Sequence, residues 1–177
     1  MDKFTEIMLT LVFYVFLFML PVLLYLKLKS KVNPLTYLKL NNRPFRGILI
    51  GIFLSVTYVI VLYIRNYILG GKTLNWNIGV LWLSILTVGF FEEIPFRGFI
   101  LQKLENKTSF WTANILTTLL FVLMHYSTWI RSNDFFSCFS IVFISLLFGY
   151  IYKESDSLWV PIICHSVYNM TIWVGMK

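Results

Sequence analysis

Apolar positions in this chain are not spaced for one face of a helix or a strand. They run on almost unbroken for about twenty residues at a time, the pattern of a helix that is apolar all round. A bilayer span needs roughly 20 mainly apolar residues. Six such runs can be drawn, at about 5–26, 47–69, 78–104, 110–131, 135–152 and 158–176. The joints between them are too short for a soluble domain, and no repeat or low-complexity tract interrupts them. The expectation is an all-α fold: one polytopic transmembrane helix bundle of about six spans, with residues 1–177 forming a single membrane-embedded domain.

Composition points the same way. Hydrophobic residues make up 58% of the chain and charged residues 13%, where a soluble domain carries about a quarter charged. The first run is longer than a signal-peptide core. The chain's only alanine is Ala113, so no A-x-A cleavage site follows that run, which reads as a retained span. The two cysteines, Cys138 and Cys164, lie in separate apolar runs without CxxC spacing and read as buried free thiols.

The net charge of +7 changes the picture through its placement. Lys27, Lys29, Lys31, Lys39, Arg43 and Arg46 crowd one joint between spans, as cations facing an anionic cytoplasmic leaflet do. Nucleic acid is therefore not an expected partner; membrane lipids are. With Lys103, Lys107 and Lys153, nine basic residues fall on that side. Five (Lys3, Arg65, Lys72, Arg131 and Lys177) fall on the other. That bias predicts both termini outside, in the cell membrane.

Three runs carry polar residues away from their ends: Glu92, Glu93 and Arg97 in the third, His125 in the fourth, His165 and Asn169 in the sixth. A charge at bilayer depth costs at least ~2.5–3.5 kcal/mol. Taken singly, these are an ion pair and interhelical hydrogen-bonding residues, and Phe121 is packing. Glu93 and Arg97 are four apart and can neutralise each other, and His165 and Asn169 share a stripe by the same spacing. Glu92 sits about 100° round from Glu93, toward a different neighbour. Pro95 can bend the helix where the acids lie. Together these residues describe a polar cavity in one bundle.

A carboxylate and an imidazole beside a water can take its proton, and a second imidazole and an amide can donate to the oxyanion that follows. No GxSxG, HExxH or Cys–His pattern supports a covalent nucleophile. Water-mediated hydrolysis is the better fit. Glu92, His125 and His165 are also acceptable zinc ligands, and sequence leaves the two versions, with and without zinc, open.

The order EExxxR ("EEIPFR", 92–97), FxxxH ("FVLMH", 121–125) and HxxxN ("HSVYN", 165–169) resembles the CPBP family of intramembrane proteases (CAAX proteases and bacteriocin-processing enzymes, or Abi family). The resemblance covers residues 78–177, and the two spans within 1–77 are not diagnostic. It implies an intramembrane endopeptidase with Glu92 as base on water, assisted by His125. It also implies His165 and Asn169 on the oxyanion or a metal, and Glu93 and Arg97 as positioning partners. Substrates of such proteins are peptide precursors, leader segments or lipidated C-termini. Two rivals stand beside it: a non-proteolytic immunity or regulatory protein of the same fold, and a proton-coupled transporter, which the lack of an inverted repeat disfavours.

Overall fold

The computed structural model describes residues 3–71, 73–126 and 135–176. Among them each predicted span is helical and no strand occurs. Helix α1 covers Phe4–Lys29 and α2 covers Pro44–Ile68, with Pro44 at its first position, where a missing N–H costs nothing. Helix α3 is the unbroken stretch 81–105. Helix α4 is Phe110–Met124, capped by Ser109, whose Oγ accepts from the Thr112 N–H at 3.3 Å. Helices α5 and α6 are Phe135–Ser155 and Trp159–Trp173.

One boundary differs in a way that bears on function. Helix α4 ends at Met124, so His125 stands at its C-terminal cap (φ −90°, ψ 8°) and not in the body of a helix. The 127–131 end of that predicted span lies outside the described residues, as do Lys72, Arg131 and Lys177 of the charge count.

Among the described residues, three helices are long and apolar enough to cross a membrane: α1, α2 and the Cys138–Ser155 part of α5. Their outer faces display Phe13, Phe16, Phe53, Phe139 and Phe143 to the surroundings. The helices that carry the polar residues do not match that description. Helices α4 and α6 have 15 residues each, and α3 holds Glu92, Glu93 and Arg97.

Helix α6 sits inside, against α2, α3 and α5. Small residues admit it. Gly47, Gly51 and Ser55 recur every four residues on the buried face of α2. A methyl placed on Gly47 would collide with Ser157 Oγ, at the approach to α6. This is the small-xxx-small pattern that brings membrane helices together. On the other flank, a methyl on Gly89 of α3 would lie 2.7 Å from the Ile162 carbonyl oxygen.

The basic joint at 30–43 is docked. Leu38 and Leu40 are buried in a cluster with Leu26, Leu101 and Leu158. The Trp159 indole N–H donates to Leu40 O at 2.8 Å, and Lys39 Nζ lies 2.5 Å from Asp156 Oδ1. Both charged residues adopt positive φ, 56° and 52°, so the two turns are shaped to meet. Cys138 and Cys164 are free thiols, with Cys164 Sγ 3.8 Å from Ser55 Oγ.

Candidate active site

Helix α3 changes pitch where its charges lie. Leu81–Glu93 is α-helical, and Ile94–Leu101 is wound more widely, as π-helix. Pro95, lacking an N–H, falls at the start of the wide segment, where an intrahelical bond is already lost. π turns of this kind often occur at functional sites. Both glutamates and Arg97 are buried.

Arg97 and Glu93 have no exposed side-chain surface; Arg97 Nη1 donates to Glu93 Oε1 at 2.9 Å. Arg97 Nη2 donates to the carbonyl and the hydroxyl of Ser145 on α5, at 2.9 and 2.7 Å. Ser145 Oγ in turn donates to Thr118 Oγ1 on α4 at 3.0 Å. The guanidinium carbon also lies 4.8 Å from the centre of the Phe121 ring, a cation–π contact. One arginine therefore ties α3, α4 and α5 together. Glu93 Oε2 and Arg97 Nε have no hydrogen-bond partner among the described residues, so the pair is joined at one point and not as a fork.

The same Glu93 Oε1 receives a second bond. His165 Nδ1 lies 2.6 Å away, and against a carboxylate that nitrogen is the donor. The other ring nitrogen of His165, Nε2, stands 3.7 Å from Glu92 Oε2. His125 approaches the same oxygen from α4, its Nε2 at 3.9 Å. The His125 Nδ1 is 2.9 Å from Phe121 O. A carbonyl can only accept, so Nδ1 carries the proton and Nε2 presents a lone pair.

Glu92 is thus divided between two surroundings. Its Oε1 accepts from the Tyr14 hydroxyl at 2.7 Å. Its Oε2 is buried without a hydrogen-bonded partner among the described residues, facing two imidazole nitrogens. A buried unsatisfied acceptor is uncommon and calls for an explanation.

The predicted residues therefore meet. Glu92, Glu93, Arg97, His125 and His165 form one contiguous set, and Phe121 packs across it, its ring 4.5 Å from that of His125 and 5.9 Å from that of His165. Asn169 is one turn beyond His165 and half-buried; its amide is on the same helical face. Three contributors were not read from sequence: Tyr14, Ser145 and Thr118. Each is a single hydroxyl in an apolar run, without a motif around it.

The zinc reading can be held against the donor atoms. Two ligands on one tetrahedral zinc, each at 2.0–2.1 Å, stand roughly 3.3 Å apart. Glu92 Oε2 is 3.7 and 3.9 Å from the two imidazole nitrogens. Among the described residues no group of three His, Cys, Asp or Glu side chains is arranged to hold a metal ion. The donors have the right chemistry for zinc, but as they stand they do not close around it.

The model of the family described as Type II CAAX prenyl endopeptidase Rce1-like matches residues 74–171, more than half of the chain. The chain belongs to this family. No curated protein matches the sequence, and no solved structure matches it. With its apolar helices, membership makes this Rce1-like chain a membrane protein. The Rce1-like segment contains Glu92, Glu93, Arg97, His125, His165 and Asn169, and excludes Tyr14.

Proposed function

We propose that the protein is an intramembrane endopeptidase that hydrolyses a peptide bond of a membrane-associated peptide with a water activated by Glu92. The observation that carries the reading is the buried Oε2 of Glu92, without a hydrogen-bonded partner among the described residues, facing the Nε2 atoms of His125 and His165 at 3.9 and 3.7 Å. A water in that gap donates one hydrogen to Glu92 Oε2 and the other to the lone pair of His125 Nε2. Glu92 takes the first proton as the water oxygen bonds to the scissile carbonyl carbon.

The carbonyl oxygen becomes an oxyanion. The amide of Asn169 donates to it, and His165, held through Nδ1 by the Glu93 carboxylate, turns its Nε2 edge toward it and donates there when that nitrogen carries a proton. As the tetrahedral intermediate collapses, the C–N bond breaks and Glu92 returns its proton to the leaving nitrogen. Carboxylic acid and amine are released, and the site regains its starting state. Arg97 neutralises Glu93 and keeps it aimed at His165.

The family's name refers to CAAX prenyl endopeptidases, so the substrate class we assign is a C-terminal peptide carrying a lipidated cysteine. The helix bundle lies in the cell membrane, with both termini outside and the 30–43 turn in the cytoplasm. The scissile segment must be extended, because a helix hides its carbonyls in its own hydrogen bonds.

The test is a fluorogenic peptide bearing S-farnesyl cysteine, cleaved by the purified protein in liposomes. Glu92→Gln and His125→Ala should each lower kcat on the order of 10²–10⁴-fold. Wild-type cleavage by both variants would overturn the mechanism. A wild type that binds the peptide without cutting it would favour the non-proteolytic role.

A further inference from the structure

Tyr14 lies on α1, sixty residues before the family-matched segment begins. Helix α1 is the most exposed of the three long apolar helices: 11% of its most apolar window is buried. Its neighbours Phe13, Phe16 and Leu17 face outward. Tyr14 faces the other way, and its hydroxyl is 2.7 Å from Glu92 Oε1 across 78 residues of sequence.

The ring is held on several sides. It stacks on Phe91 (centroids 6.2 Å apart, planes 25° apart), lies 5.5 Å from Phe18 and meets the edge of Phe13. Directly after Tyr14 the helix widens into a π turn, Val15–Met19, a second such turn at the level of this site.

The chemistry follows from the freedom of a glutamate. Its last torsion joins an sp³ to an sp² carbon and is broad and nearly two-fold. An untethered carboxylate would rotate either oxygen, or neither, toward the imidazoles. A donor fixed on one oxygen removes that freedom and leaves the other aimed.

We propose that Tyr14 is a positioning residue: by holding Oε1 of Glu92, it keeps Oε2 directed at the reacting water, so the first helix completes the site. This rests on Glu92 being the base. It also implies that the family-matched segment alone lacks part of its machinery.

Tyr14→Phe removes only the hydroxyl and keeps the ring that stacks on Phe91. With the S-farnesyl peptide and full-length protein in liposomes, it should lower kcat about tenfold to a hundredfold and leave KM within about twofold, because pre-aimed geometry is worth rate and not ground-state binding. A second arm uses Glu92→Asp, whose shorter side chain withdraws the carboxylate from the hydroxyl. Adding Tyr14→Phe to Glu92→Asp should cost no further activity, since two changes acting through one bond are not additive.

Unchanged kinetics in Tyr14→Phe, while Glu92→Gln is inactive, would remove the role of Tyr14 and leave Glu92 as base. An equal loss in the Glu92→Asp background would also remove it, by showing that Tyr14 acts on the fold. Full activity in Glu92→Gln would remove both readings.

Discussion

His165 Nδ1 lies 2.6 Å from Glu93 Oε1, on the same oxygen that accepts from Arg97 at 2.9 Å. One carboxylate oxygen thus orients a histidine on α6 and balances an arginine on its own helix. That double use separates the two neighbouring glutamates by role: Glu92 faces the gap, and Glu93 faces the groups that shape it.

Glu93→Gln removes the carboxylate that holds His165 through Nδ1 while keeping the side chain's shape. Turnover of the S-farnesyl peptide should fall on the order of 10²-fold or more, with little change in KM. Turnover near wild type would show that His165 works without its carboxylate.

Arg97→Met should damage the fold first. It leaves Glu93 buried and uncompensated and unlinks Ser145 on α5. Breaking a buried pair by removing one partner typically costs about 3–5 kcal/mol. Unfolding in mixed detergent micelles, followed by tryptophan fluorescence, measures it; a loss below about 1 kcal/mol would mean that the pair contributes little. Adding Glu93→Gln to Arg97→Met should restore part of the stability, though not the activity.

Gly89→Ala should impair both stability and rate. The added methyl would lie 2.7 Å from the Ile162 carbonyl oxygen, a backbone atom that cannot rotate aside. Overpacking of this kind costs about 1–3 kcal/mol, and it parts the helix bearing Glu92 from the one bearing His165. A melting temperature and kcat equal to wild type would contradict this contact.

Metal removal tests the open donor geometry. Protein treated with chelator and shown zinc-free by elemental analysis should keep its peptidase activity. Loss of activity on chelation, restored by stoichiometric zinc, would show that Glu92, His125 and His165 close on a cation in the working enzyme.

The docked turn yields a pH prediction. The hydrogen bond from Lys39 holds the Asp156 carboxyl below its ordinary value, with Asn42 helping. A depressed carboxylate contributes stability that is present above the ordinary pKa and is lost as pH falls through the lower folded value. The side chain is largely exposed, so the contribution is at most about 1 kcal/mol. Asp156→Asn, which still tolerates positive φ, should therefore melt slightly below wild type at neutral pH. The gap should close in acid below the usual carboxylate range; a gap independent of pH would assign the difference to shape.

Much of the site was legible because its cost was legible. Glu92, Glu93, Arg97, His125, His165 and Asn169 stand out in apolar runs where ionisable and amide groups are expensive. The spacing of four between Glu93 and Arg97 forecast the pair that forms. Tyr14, Ser145 and Thr118 were not legible, since a hydroxyl in an apolar helix costs little and often bonds its own backbone, as Thr117 does to Ala113 O at 2.8 Å. The end of α4 was missed for a related reason. A hydropathy profile averages over the polar residues after Met124 (His125, Tyr126, Ser127 and Thr128) and cannot register where a helix stops. The close approach of α2 and α6 was written in Gly47, Gly51 and Ser55, but small residues give no signal in a hydropathy profile.

The pairing of Glu93 with Arg97 also bears on the order of assembly. His165 lies 72 residues after Glu93, and Ser145 lies 48 after Arg97. When α3 leaves the ribosome, neither partner has been made. A helix carrying two acids and an arginine must then partition with only the countercharge it carries, and an arginine one turn from an acid supplies it within that helix. The ion pair is thus a passport for insertion as well as a brace for the finished bundle, and the last partner to arrive, α6, brings His165 to the oxygen that Arg97 already holds.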